Sequence, residues 1–428
     1  MKARLVYSAV LSVIFPVLLL YEALRSANYK YKHWVLTLFI TIYGSTIQLY
    51  ENKDGYRHQE MVYTHYQNLS FTDFSKELAN IATFKVNKSR AQDVYKHVLS
   101  YFLAVLGLPG LFFTVVAFVY GYFFSGAMLM VFTNFGRSHH SYIFLAFSLL
   151  FIFTMNVEGI NTVRTWTGMW VLVYACLKYY RSKKIKYLIL MLMPPLIHVG
   201  YFIMVIPALI VLIFGNWPKV FASIFVLSSV FSFVNPPNAK SQLEQTELGE
   251  QKVEGYYTLK QKDTDEVLQE QEERGNRWYY SYRNANIHIW ALNLLIYILL
   301  LKGIYFKRMT AYQQTLFSIG LAMLTLSNLS WFIFAVSNRS AIIGMIFILA
   351  SVLITWQELS TRTWLTNGGG MLKGAMTISL IMFIPFFLFK LSSFLDYPSV
   401  FLFVNPMLVW FDPTSNMSIK EFIKLFIF

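Results

Sequence analysis

An all-α, polytopic membrane protein is the fold class this sequence predicts, and three observations carry the prediction. The 428 residues are 56% hydrophobic and only 14% charged, against the roughly 25% charge of a soluble domain. Apolar runs recur along the chain, among them Leu5–Leu20, Ser141–Thr154, Val220–Val234, Ile289–Leu301 and Ile342–Ile354. Most reach the about 20 residues of a span once flanking Tyr, Trp, Ser and Gly are counted. Much of the Lys and Arg behind the net charge of +14 sits in short turns between those runs. Basic turns anchor spans on the cytoplasmic side, so the charge calls for no nucleic acid.

In chain order, spans are expected over 5–20, 33–50, 108–130, 141–157, 162–179, 187–213, 220–234, 286–301, 311–335, 340–357 and 374–390, with a weaker one at 397–411. That makes about 11–12 transmembrane helices in a single integral membrane domain, 1–428. The first run follows Lys2 and Arg4 and has no small-residue cleavage site, so it is expected to be retained. The turn KYYRSKKIK, 178–186, has five Lys/Arg in nine residues and is the firmest cytoplasmic marker. Arg25, Lys30 and Lys32, Arg137, and Lys302, Lys307 and Arg308 agree with it. The alternation closes only if 187–213 is broken or re-entrant, and Pro194–Pro195 supplies the break by removing helix donors.

Two polar stretches then fall outside the cytoplasm. One is 51–97; the other, 235–285, holds ten of the 22 acidic residues and seven Lys/Arg. Near 93–106, apolar Val94, Val98, Tyr101 and Phe102 oppose Asp93, Lys96, His97 and Ser100, the pattern of a helix lying at the membrane surface. No internal repeat is present.

The same weave brings unusual charges to one side. Arg164 opens its helix near Glu158 and Asn161, His198 follows the double proline, and Arg339 stands in SNRSAIIG. Arg57 and His58 lie just past the second span. Arginine at a membrane boundary is costly, so it points to pairing or function. Glu158 could neutralise Arg164, Asp54 could pair with Arg57 across Gly55, and Arg339 could be an interfacial cap. The functional alternative is a cleft whose guanidiniums clamp an anionic phosphate in fork geometry. There His198 would exchange a proton with a transferring hydroxyl, unless it is only locally hydrogen-bonded, and Asp54 or Glu158 could be the general base. Tyr56 and Trp166 offer faces on which a sugar could stack, although aromatics gather at every membrane interface.

No GxxxxGK[ST], Rossmann glycine pattern, CxxC or HExxH occurs, and there is no DxD that could hold a divalent metal beside a nucleotide sugar. The pair His139–His140 is weak as a metal signal, and the lone Cys176 leaves the redox compartment open. We therefore expect no metal and no cofactor, and a lipid-borne substrate rather than a soluble nucleotide.

At four places the chain resembles the membrane-embedded oligosaccharide repeat-unit polymerases of bacteria, the Wzy-like proteins, and particularly their EpsG-type exopolysaccharide branch. They are KDGYRHQEMVY at 53–63, GINTVRTWTGMWVLVYACLKYY at 159–180, LILMLMPPLIHVGYFIMVIPALI at 188–210 and SNRSAIIG at 337–344. The order and spacing of these pieces carry the resemblance more than any one of them. Thr165 and Trp166 stand where the family commonly has Gln and small residues after its arginine, and Val199 and Gly200 follow His198 where Lys or Ser is frequent.

The resemblance implies a GT-C-like glycosyltransferase of the bacterial inner membrane with its active site facing the periplasm or exterior. It implies undecaprenyl-pyrophosphate-linked oligosaccharides as substrates, membrane lipids around them, and a chain-length regulator and a flippase as partners. Arg164 and Arg339 would hold the donor pyrophosphate, Arg57 the second lipid phosphate or acceptor, and His198 or Asp54 would lie near the attacking hydroxyl. An O-antigen ligase would use the same donor. A lipid-glycan flippase or transporter would need a polar path to both faces, and a membrane O-acyltransferase a cytosolic thioester.

Overall fold

The computed structural model describes residues 2–51, 53–83, 93–133, 141–214, 217–231, 287–331, 333–358, 361–412 and 416–427. The expected loop 235–285, Arg137 and the pair His139–His140 lie outside them. Among the described residues the chain is helical, and its one β feature is an isolated bridge between Ser399 and Ser418. Two compact units form: Met1–Thr133 with Met155–Val205 and Leu391–Phe428, and Asn134–Thr154 with Ile206–Lys390.

In the first unit the expected opening span is two helices, α1 (Lys2–Ile14) and α2 (Pro16–Arg25). Pro16 takes the first position of α2, where its missing N–H costs nothing, so the run 5–20 is interrupted rather than continuous. Helix α3 (Tyr29–Ser45) starts on Asn28, whose side chain accepts from the Tyr31 amide. It packs on α7 (Phe112–Val131) at small residues: a methyl group at Gly44 would meet Ala117 Cβ at 2.1 Å and the Phe113 carbonyl oxygen at 2.6 Å. Thr37 and Ser125 share a hydrogen bond of 3.0 Å across the same seam. Close backbones and buried hydroxyl pairs are how helices associate where water supplies no driving force.

The stretch 51–97, expected as a polar loop, contains α4 (Asp54–Thr64), α5 (Phe71–Ala82) and the start of α6 (Val94–Val105). Helix α6 occurs where the amphipathic pattern predicts it, and its polar residues are enclosed: Asp93, Lys96, His97 and Ser100 are buried, as is Tyr101, while Phe102 and Val105 are exposed. Its polar face turns inward because α4, α5 and the segments carrying Arg164 and His198 supply hydrogen-bond partners there.

Past α8 (Tyr142–Thr154), a 3₁₀ segment Val157–Thr162 leads into α9 (Thr165–Ser182). The proline break then takes the form α10 (Ile185–Met191), α11 (Pro194–Ile197) and α12 (Tyr201–Phe214). The weak span expected at 397–411 is instead two short helices, Phe401–Val404 and Met407–Phe411, parted by Asn405 and Pro406.

In the second unit, α13 (Pro218–Phe231) and α14 (Ile287–Leu301) precede a long hairpin. A short helix α15 (Ile304–Lys307) leads into α16 (Ala311–Leu329), which begins at a Thr310/Gln313 capping box and pairs with α17 (Phe334–Glu358). Gly320 and Gly344 face one another: a methyl at either would come within about 3 Å of the other's carbonyl oxygen. Arg339 lies inside α17, which begins at Phe334, and so is not a cap residue. The closing apolar helix α18 runs over Thr361–Asp396, beyond the expected 374–390.

By length and composition, Pro109–Val131, Tyr142–Thr162, Ala335–Glu358 and Leu372–Asp396 could each cross a membrane, and shorter apolar helices accompany them. Apolar groups are exposed at helical spacing, as with Phe202, Ile206, Ile210 and Ile213 on α12 or Val220, Ile224, Leu227 and Val230 on α13. Such stripes are a liability in water and suit lipid. These features are those of a helical membrane protein.

Candidate functional site

The first unit gathers its charges around Asp93, which stands in extended conformation just before α6. The carboxylate is fully buried and accepts from three sources. Its Oδ1 receives the Val199 amide at 2.8 Å and His198 Nδ1 at 3.0 Å, while its Oδ2 receives Arg164 Nη1. Burial by itself would raise this carboxyl group's pKa. The His198 hydrogen bond, the Arg164 charge and the Val199 amide outweigh that and hold it far below the ordinary carboxylate range. Asp93 is therefore a fixed anion with its lone pairs engaged, suited to orienting rather than to accepting a proton.

Each partner is delivered by a local device. Val163 adopts φ 58° and ψ −57°, and the Arg164 amide reaches back to the Thr162 carbonyl at 2.5 Å, closing a positive-φ γ-turn. That conformation is rare and strained, above all for a β-branched residue. It persists because the surroundings hold it. Val163 is fully buried, its carbonyl accepts from Thr167 Oγ1 at 2.6 Å, and the Arg164 carbonyl accepts from the Gly168 amide. The turn starts α9 and sends Arg164 sideways to Asp93, with the side chain still 27% exposed. The double proline ends α10, and His198 falls in extended backbone, φ −151°, between α11 and α12. Tyr201, one turn on, donates from its hydroxyl to the Thr165 carbonyl at 2.6 Å and clamps the start of α12 to the start of α9.

Other charged groups stand close. Lys96, one turn into α6, is 4% exposed, and its ammonium meets the Met61 sulfur at 3.4 Å. Burial and the nearby Arg164 lower its pKa to about 8, although Asp93 and Asp54 pull the other way. On α4, His58 is held down to about 2 by burial and by Lys96 and Arg164, so it is a neutral imidazole at working pH. Helix α4 packs against the 3₁₀ segment so tightly that a methyl at Gly55 would strike Asn161 Oδ1.

Of the residues singled out from sequence, Arg164 and His198 meet directly through Asp93. Asp54 and Arg57 lie exposed on α4, and Tyr56 is half-buried beside them. Glu158 is buried among Tyr43, Tyr120 and Tyr397, and the ion pair of Arg164 is with Asp93 instead. Trp166 is half-buried in the first turn of α9, against Gly159. Arg339 belongs to the second unit. From sequence Asp93 and Lys96 belong to the polar side of a surface helix and not to the site, although their spacing with His97 and Ser100 at i, i+3, i+4 and i+7 is also that of a buried stripe.

Chemically, an ionised Asp93 accepting at His198 Nδ1 fixes the tautomer with its proton there and the basic lone pair on Nε2. An imidazole oriented by a carboxylate, next to a guanidinium with donors to spare, is an arrangement for taking a proton while stabilising developing negative charge. Among the described residues, no three His, Cys, Asp or Glu side chains are arranged to hold a metal ion.

No protein-family model, no curated protein and no solved structure matches this chain.

Proposed function

We propose that this chain is a membrane-embedded glycosyltransferase that polymerises undecaprenyl-pyrophosphate-linked oligosaccharide repeat units at the extracytoplasmic face of the bacterial inner membrane. The observation that carries the reading is the union of Asp93, His198 and Arg164, from three separate segments, in one buried cluster. His198 Nε2 takes the proton of the acceptor sugar hydroxyl as its oxygen bonds to the donor's anomeric carbon. The bond from that carbon to the pyrophosphate oxygen breaks, and the electron pair leaves on the lipid pyrophosphate. Arg164 meets the charge that develops there, with Arg57 at the exposed end, and Asp93 holds the imidazole in register. The resemblance in sequence supplies the substrate class and the GT-C-like arrangement, and the apolar runs supply the span number of about 11–12.

The test is reconstitution. Purified protein with synthetic undecaprenyl-pyrophosphate repeat units, without nucleotide or added metal, should yield a ladder of products. His198→Ala should abolish it, and Arg164→Lys, which keeps charge but loses the fork, should slow it by about a hundredfold or more. Wild-type ladders from both variants would refute these roles, and no product from the native protein would refute the reading.

A further inference from the structure

Lys96 poses a charge problem that the proposed catalysis leaves unanswered. Its ammonium lies beside Arg164, a second cation, and it is more deeply buried than Arg164. The one carboxylate inside the cluster, Asp93, spends both oxygens on Arg164, His198 and the Val199 amide. Among the described residues, the hydrogen-bond acceptor that Lys96 reaches is the Met61 sulfur, a weak one. Of the groups on the neighbouring elements, Asp54 on α4 is exposed, His58 on α4 is neutral, Arg164 opens α9 and His97 follows on α6 itself, while the buried Glu77 on α5 faces His97 at 3.8 Å and His65 at 3.6 Å rather than Lys96. Among the described residues, the set bonded around Asp93 thus holds two cations against one carboxylate. A buried ammonium without an anion is unfavourable enough to mark a place where an anion arrives.

We propose that Lys96 and Arg164 together grip a phosphate-bearing lipid group, Lys96 as a point charge from within and Arg164 as a fork from the exposed side. This rests on the reading of the site as one for lipid pyrophosphates, and it adds a binding residue to that site. Lysine suits the inner position because it can shed its proton while the site is empty and regain it when the anion binds. Binding is then linked to proton uptake. Below about pH 8 the affinity is level; above it, affinity falls by up to tenfold per pH unit until the anion-bound ammonium itself titrates.

The experiment measures binding of undecaprenyl pyrophosphate, and separately of phosphatidylglycerol, to the detergent-solubilised full chain from about pH 7 to about pH 10. The native protein should show the falling limb. Lys96→Met should bind about 30-fold more weakly or worse at neutral pH and lose the limb, while Lys96→Arg, which stays charged, should bind at pH 7 and stay level to pH 10. Lys96→Met should also melt at a higher temperature than the native protein without ligand, because a buried charge has been removed. Level native binding over the whole range overturns the assignment, as does unchanged affinity in Lys96→Met. If phosphatidylglycerol binds as tightly as the pyrophosphate and with the same pH limb, the group gripped is a bilayer headgroup and the proposed substrate site is wrong. Ladder synthesis by a protein whose pyrophosphate binding ignores Lys96 sinks this inference alone; failure of the native chain to bind undecaprenyl pyrophosphate sinks both.

Discussion

Asp93 owes its importance to what it is bonded to. Replacing it with Asn keeps the shape but leaves Arg164 without its counter-charge and His198 without a carboxylate. Breaking a buried pair by removing one partner costs about 3 kcal/mol or more, and the melting temperature should fall accordingly. The pH dependence has a definite sign. The folded-state pKa of Asp93 is depressed, so its contribution is complete above the unfolded carboxyl value of about 4 and is lost as pH falls through and below it. Asp93→Asn should therefore flatten the acid limb of stability as well as lower the plateau. An unchanged melting temperature and acid limb would show that the cluster does not hold the fold. Arg164 and His198 were legible in the sequence because charge and imidazole are rare beside apolar runs. Asp93 was not, since its partners lie 71 and 105 residues away and ordinary carboxylates fill the same polar stretch.

Among the elements, those with local chemical causes matched expectation best. Pro194–Pro195 breaks a helix wherever it stands, and the break that sets His198 free of helical backbone follows from the missing donors. The γ-turn at Val163 has no such signature, because valine ordinarily refuses positive φ and only the packing around it enforces the turn. The seam between α3 and α7 lies between these cases: Gly44 is visible, its partner is not. Gly44→Ala should destabilise the first unit, because the added methyl meets backbone at Phe113 that cannot swing aside. We expect a loss of about 1–3 kcal/mol, read as a lower melting temperature in detergent. A variant as stable as the native protein would mean that the helices part easily there.

On the scale of the whole molecule, burial separates apolar helices that keep an open face from apolar helices that are enclosed. The most apolar 18-residue window of α17 is 94% buried inside the protein, whereas that of α18 is 28% buried, although their hydropathies are equal. Ile210 belongs to the exposed stripe of α12. Ile210→Lys should oppose membrane integration by about 2–3 kcal/mol and reduce the amount recovered in the membrane fraction. Equal recovery would place that face in water.

By itself the sequence determined the helical membrane class, the proline-broken segment and the two boundary groups Arg164 and His198. Each depends on hydropathy, backbone chemistry or scarcity within a short window. Tertiary structure decided that α6 turns its polar face inward, that Asp93 joins Arg164 to His198, and that α17 rather than α18 is enclosed. Those outcomes depend on which segments meet across long stretches of chain. An amphipathic pattern reports that a helix has two faces, and only the neighbours supply the partners that make burying the polar one favourable.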